Sequence, residues 1–238
     1  MRTIVRIASP VALMLACIAV AAAAQRHETR AVSGYHAVAL SASIKVELVQ
    51  GDAEGMTLDG DDAALAEIET VVENGTLKIR DKSHHWISGP DMSHVVAHVS
   101  AKAIDGLSTA GSGDIRAASL TTKNLKVSIA GSGDVRIETL AANDLQVSIA
   151  GSGDVLVAGK ADVVHTSIAG SGDMKASKLE SRESSVSIAG SGDAMLWVRD
   201  SIHVSIMGSG DVRYYGDPAL NKSVLGSGAV KRVAASPS

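Results

Sequence analysis

Apolar and polar residues alternate with a period of two through much of the chain. Leu125-Lys126-Val127-Ser128-Ile129 and Val135-Arg136-Ile137 are typical stretches. This is the pattern of strands with one buried face. Between such stretches the heptapeptide SIAGSGD recurs unchanged at 128–134, 148–154, 167–173 and 187–193. Near copies stand at 108–114 (STAGSGD) and 205–211 (SIMGSGD), and SVLGSGA closes the series at 223–229. The Gly-Ser-Gly triplets fall 18 to 20 residues apart.

Each unit therefore reads as strand, tight corner, strand and a looser return, such as residues 139–144. One coil cannot bury its apolar face alone, whereas a stack of coils can. The predicted fold is all-β: a parallel β-solenoid of stacked 18–20-residue coils, with neighbouring strands ~4.8 Å apart. The structural corners are Gly111 and Gly113, Gly131 and Gly133, Gly151 and Gly153, Gly170 and Gly172, Gly190 and Gly192, and Gly208 and Gly210. Glycine is expected at both positions because it reaches positive φ without a Cβ clash. The last unit is worn, with Lys222 at an expected core position and Ala229 in place of the Asp. A capping coil has this character.

Residues before 100 lack the triplet but keep the alternation, at Ile44, Val46 and Leu48, at Met56 and Leu58, and at Leu77 and Ile79 after an Asn74-Gly75 turn. Residues 61–68 suit one or two helical turns capped by Asp61 or Asp62. An N-terminal β-rich layer covering one end of the stack is expected. Residues 35–233 then form one domain, with 35–100 as its N-terminal strands, 101–233 as the coils and 234–238 as a disordered tail.

Residues 1–24 are set apart from the fold. Arg2 and Arg6 precede an apolar run that ends in Ala22-Ala23-Ala24, the pattern of a cleaved secretory signal. The protein is expected to be exported, to the periplasm, the outer-membrane surface or the medium. A lipid anchor at Cys17 is the other reading of this segment, and the one route to a membrane. Cys17 is the single cysteine, so no disulfide framework is available to the exported chain. The formal charge of −4, without basic runs, argues against nucleic acid as a partner.

At residues 43–80 (SIKVELVQGDAEGMTLDGDDAALAEIETVVENGTLKIR), through the serial GSGD corners, and at 208–233 (GSGDVRYYGDPALNKSVLGSGAVKRV), the chain resembles the head GIN domain family of auto-transporter adhesins, exported bacterial proteins. The resemblance covers nearly all of the chain beyond residue 24. It implies a right-handed, coil-stacked domain of the cell envelope or surface, and it brings no catalytic residues.

Candidate chemistry is sparse. Asp114, Asp134, Asp154, Asp173, Asp193 and Asp211 form a column whose neighbours would repel by roughly 1 kcal/mol in water and ~3 at an effective dielectric of 20. Turn capping, with Arg116, Arg136, Lys175 and Arg213 as counter-charges, is one way to offset this; a cation between coils is the other. Aromatic residues are rare (two Trp, three Tyr, no Phe), yet Trp197 and Tyr215 share outward parity on adjacent coils beside Arg213. These three residues are the candidate contact patch, suited to a sugar or a protein partner; covering an edge of the stack is the plainer reading. The outward row Ser128, Ser148, Ser167, Ser187 and Ser205 is either a solvated face or a surface for a second copy. His84, His85, His94 and His98 cluster in sequence, but on a strand His94 and His98 stand ~13 Å apart, so no metal site and no cofactor are expected.

The functional reading is a non-catalytic exported interaction module, adhesin-like, with an envelope protein or glycan as partner and homo-oligomers possible. The alternative is a polysaccharide-active, pectinase-like enzyme on the same scaffold.

Overall fold

The computed structural model describes residues 26–82 and 90–237. The expected leader, with Cys17, lies outside the described residues, as do His84 and His85.

Among the described residues seven strands precede the repeats: β1 (Arg26–Arg30), β2 (Ala37–Ser41), β3 (Lys45–Gln50), β4 (Gly55–Gly60), β5 (Ile68–Glu73), β6 (Thr76–Asp81) and β7 (Val96–Ala101). One short helix, α1 (Asp62–Glu67), lies among them. The coils follow as β8 (Gly106–Gly111), β9 (Asp114–Ala117), β10 (Leu120–Thr121), β11 (Asn124–Gly131), β12 (Val135–Gly151), β13 (Val155–Gly170), β14 (Met174–Gly190), β15 (Ala194–Gly208), β16 (Val212–Tyr215), β17 (Ala219–Gly226) and β18 (Val230–Arg232). Together they make a parallel β-solenoid of about six turns.

Register is kept residue for residue through the strands that lead into the corners. Ser128, Ser148, Ser167, Ser187 and Ser205 pair in sequence, as do Ile129, Ile149, Ile168, Ile188 and Ile206. The isoleucines are buried and the core is a ladder of like aliphatics, each rung shielded by the next.

The return of each coil is not a loose loop. Leu120, Leu140, Gly159 and Leu179 pair in register and form a third ladder, so each coil has three sides. Bulges between Ile137 and Leu140, and between Leu156 and Ala158, break the alternation there, which is why the sequence pattern reads as irregular.

The N-terminal end is closed by a change of strand direction. β2 and β3 run parallel to β8 and β9, but β4 pairs antiparallel with β7, β1 antiparallel with β4, and β5 antiparallel with β6. Asn74 (φ 50°) and Gly75 (φ 72°) make the β5–β6 turn, as their dipeptide predicts. Asp61 caps α1 by accepting the N–H of Ala64 at 2.9 Å, and the helix seats Ala64 and Leu65 in the core. Among the described residues β1 lies ahead of residue 35 and is paired with β4. At the other end the carbonyl of Ala234 accepts from Gly216.

Candidate functional site

The corners divide their glycines by role. The first glycine of each triplet has positive φ, from 102° at Gly111 to 140° at Gly190. The second does not, which corrects the expectation that both serve the turn by conformation. The second is required by stacking: a Cβ on Gly153 would lie 2.1 Å from the carbonyl oxygen of Gly133 and 2.9 Å from a methyl of Ile129. No rotamer change relieves a clash with backbone.

The aspartates act between coils rather than within the turn. Asp134, Asp154, Asp173, Asp193 and Asp211 each donate their main-chain N–H to the carboxylate one coil before, at 2.8–3.1 Å. Ala229 donates the final N–H, to Asp211 at 2.9 Å, and offers no carboxylate in return. One carboxylate oxygen per residue is thus committed to a structural bond.

The counter-charges are fewer than expected. Lys175 binds Asp154 and also lies 3.7 Å from Asp173, and these contacts raise its pKa, the hydrogen bond to Asp154 contributing most. Arg213 reaches Asp211 at 3.3 Å. Arg136 turns to Glu138 instead, at 3.2 Å. Among the described residues no group of three or more potential ligands is disposed to hold a metal ion.

Trp197 and Tyr215 are direct partners on adjacent coils, in the same register as the pairs Met195–Arg213 and Leu196–Tyr214. Both aromatics are half-exposed and Arg213 is exposed. The strand beneath them is held from inside, where buried Ser181 donates to the carbonyl of Trp197 at 3.0 Å and lies 3.0 Å from Ser184. The three expected patch residues are therefore brought together on one face. Along the stack Met195 follows Lys175 and Leu156, whereas a register shift sets Trp197 against Glu180 and, one coil before that, Lys160. Beside Leu156 and Ala158 a hollow of about 360 Å³ opens, walled by Arg136, Glu138, Lys175 and Lys178.

Histidines pair with carboxylates in the N-terminal layer. Asp59 lies 2.5 Å from His27 and 3.1 Å from His98, and His98 lies 3.2 Å from Glu47. His94 contacts Asp61 at 2.8 Å. The hydrogen bond from His27 holds Asp59 below the usual carboxylate range, while the Ala64 amide and His94 do so for Asp61. His94 lies in the turn before β7 rather than on the strand, and it and His98 contact different carboxylates. The link to His27 carried no sequence signal, because β1 shows no buried alternation.

Residues 34–218 match the family model described as "Putative auto-transporter adhesin, head GIN domain". The fold resembles three crystal structures. An adhesin-described protein of Bacteroides fragilis shares 24% identity with a TM-score of 0.82, covering 88% of this chain and 97% of that one. A protein of Parabacteroides distasonis described as lipid binding shares 27%, with a TM-score of 0.70, covering 88% and 96%. A second P. distasonis protein, described as an adhesin, shares 20%, with a TM-score of 0.70, covering 89% and 98%. No curated protein matches.

Proposed function

The chain belongs to the head GIN domain family of auto-transporter adhesins, and from that premise we propose that it is an exported, non-catalytic interaction module of the cell envelope or surface. It would engage an envelope protein or glycan through Trp197, Tyr215 and Arg213. The observation that carries this reading is the pairing of Trp197 with Tyr215 across neighbouring coils, half-exposed, in a chain with five Trp and Tyr residues in all and no Phe. Flat aromatic surface beside a guanidinium suits the face of a sugar ring or an apolar anchor of a protein. Each repeated aspartate accepts a main-chain N–H from the next coil with one carboxylate oxygen, a structural use of the repeated acidic groups.

The test is binding of the chain from Gln25 onward to whole cells, to a glycan array and to lipid vesicles, compared with Trp197→Ala/Tyr215→Ala. At least tenfold weaker binding is expected, with the melting temperature nearly unchanged. A large fall in melting temperature would make the pair a packing element. Release of reducing ends or unsaturated products from pectin-like polymers would favour the enzyme.

A further inference from the structure

The two ends of the solenoid differ. Of the six large apolar residues exposed among the described residues, five lie in the last two coils and just beyond: Met207, Leu220, Val224, Leu225 and Val233. Leu220, Val224 and Leu225 lie on β17, which pairs with β15 on one side and, among the described residues, with no strand on the other. Its outer edge presents a row of unpaired main-chain N–H and C=O groups, a template for another strand. Val233 and Ala234 bond instead to Tyr214 and Gly216 on the neighbouring face.

The three core-facing register positions of β17 are Leu220, Lys222 and Val224, opposite Ile202, Val204 and Ile206. An ammonium thus stands between two aliphatic side chains, each ~6.7 Å away along the strand. Among the described residues Lys222 has no ion-pair partner, nor has Lys231 on the adjacent edge strand.

This pattern selects its occupant. A second copy paired end to end, with core faces kept together, sets Lys222 against Lys222 or against an aliphatic residue, a charge left without a partner as it is desolvated. A head-to-tail copy brings β5, with uncharged Thr70 and Val72 at its inward register positions, toward β17, and β18, with Arg232, toward β1, whose inward register positions hold Arg26, Glu28 and Arg30. We propose that the β17 edge is a strand-addition site for an extended polypeptide segment of another protein that places a carboxylate opposite Lys222 and apolar side chains opposite Leu220 and Val224. Main-chain bonds would supply affinity, and the central ion pair the choice of sequence.

The experiment uses two capped peptides, Thr-Val-Thr-Glu-Thr-Val-Thr and the same peptide with Lys at the centre. The pattern is symmetric, so either strand direction puts the central residue at Lys222. The chain from Gln25 onward should bind the Glu peptide at least tenfold more tightly, with hydrogen-exchange protection added across 219–226. Lys222→Glu should reverse the preference, and Lys222→Gln should abolish it; a circular dichroism spectrum and melt verify that each variant folds. Equal affinity for both peptides, binding of neither, or protection elsewhere would overturn the proposal. So would a dimer of the unmodified chain, seen by sedimentation, that the Glu peptide cannot dissociate.

Discussion

The main-chain N–H of Asp154 donates to the carboxylate of Asp134, one coil earlier, at 2.8 Å, while the Asp154 carboxylate accepts in turn from Asp173 at 3.0 Å. Each corner aspartate from Asp134 to Asp211 is therefore both a receiver and a giver in a line that starts at Asp114, whose own N–H goes to the Ile44 carbonyl. The bond needs an oxygen acceptor and not a charge. Asp154→Asn should change stability little, whereas Asp154→Ala strips the Asp173 amide of its acceptor. A lost hydrogen bond of this kind costs about 1–2 kcal/mol, or ~2–8 °C for a domain of this size. Thermal melts of the two variants decide it; equal losses would show that the ladder contributes nothing beyond charge.

Gly153 should tolerate less than Asp154. A side chain there meets the Gly133 carbonyl at 2.1 Å, so the coils must part. Gly153→Val should lower the melting temperature by far more than Asp154→Asn, and Gly153→Ala should already be severe. Melts in the reverse order would contradict the stacking role.

Calcium should not matter to folding. An ion bound only by the native state adds about 2.7 kcal/mol at a hundredfold excess over its Kd, which moves the melt by several degrees. Replacing chelator with millimolar calcium at constant ionic strength should leave the melt in place. A rise abolished by Asp134→Asn with Asp154→Asn would make the corners a metal ladder.

Acid should loosen the N-terminal layer. The carboxylate of Asp61 is held below its ordinary value of 3.8, first by the Ala64 amide and then by His94. A depressed folded-state pKa gives a contribution that is full above the unfolded value and is lost as pH falls through the folded one. The gap in melting temperature between the unmodified chain and Asp61→Ala should therefore be constant from pH 7 to 5 and narrow below pH 4. A gap that stays constant down to pH 2 would contradict the capping bond.

Period-two alternation and the spaced triplets made the solenoid legible, because each strand repeats the burial of its neighbour. The Asn74-Gly75 turn and the Asp61 cap were legible for the same reason: their chemistry is local. The third side of the coil was not, since bulges near Ile137 and Leu156 shift which residues face inward. Nor was the division of labour between Gly151 and Gly153, because the clash that excludes a side chain at Gly153 comes from a coil twenty residues away. Trp197 and Tyr215 could be paired by counting from the corners, whereas the open edge at β17 could not. Lys222 reads simply as a worn repeat until β17 is seen to pair on one side alone among the described residues.

The repeats account for the scaffold, and the proposed function rests on the places where repetition breaks. The most direct test compares whole-cell binding of two variants of the chain from Gln25 onward, each verified as folded. Asp134→Asn with Asp154→Asn alters the repeated corners, and Trp197→Ala with Tyr215→Ala alters the aromatic pair. Binding should be kept by the first variant and fall at least tenfold in the second; loss in the corner variant with retention in the aromatic one would contradict the account.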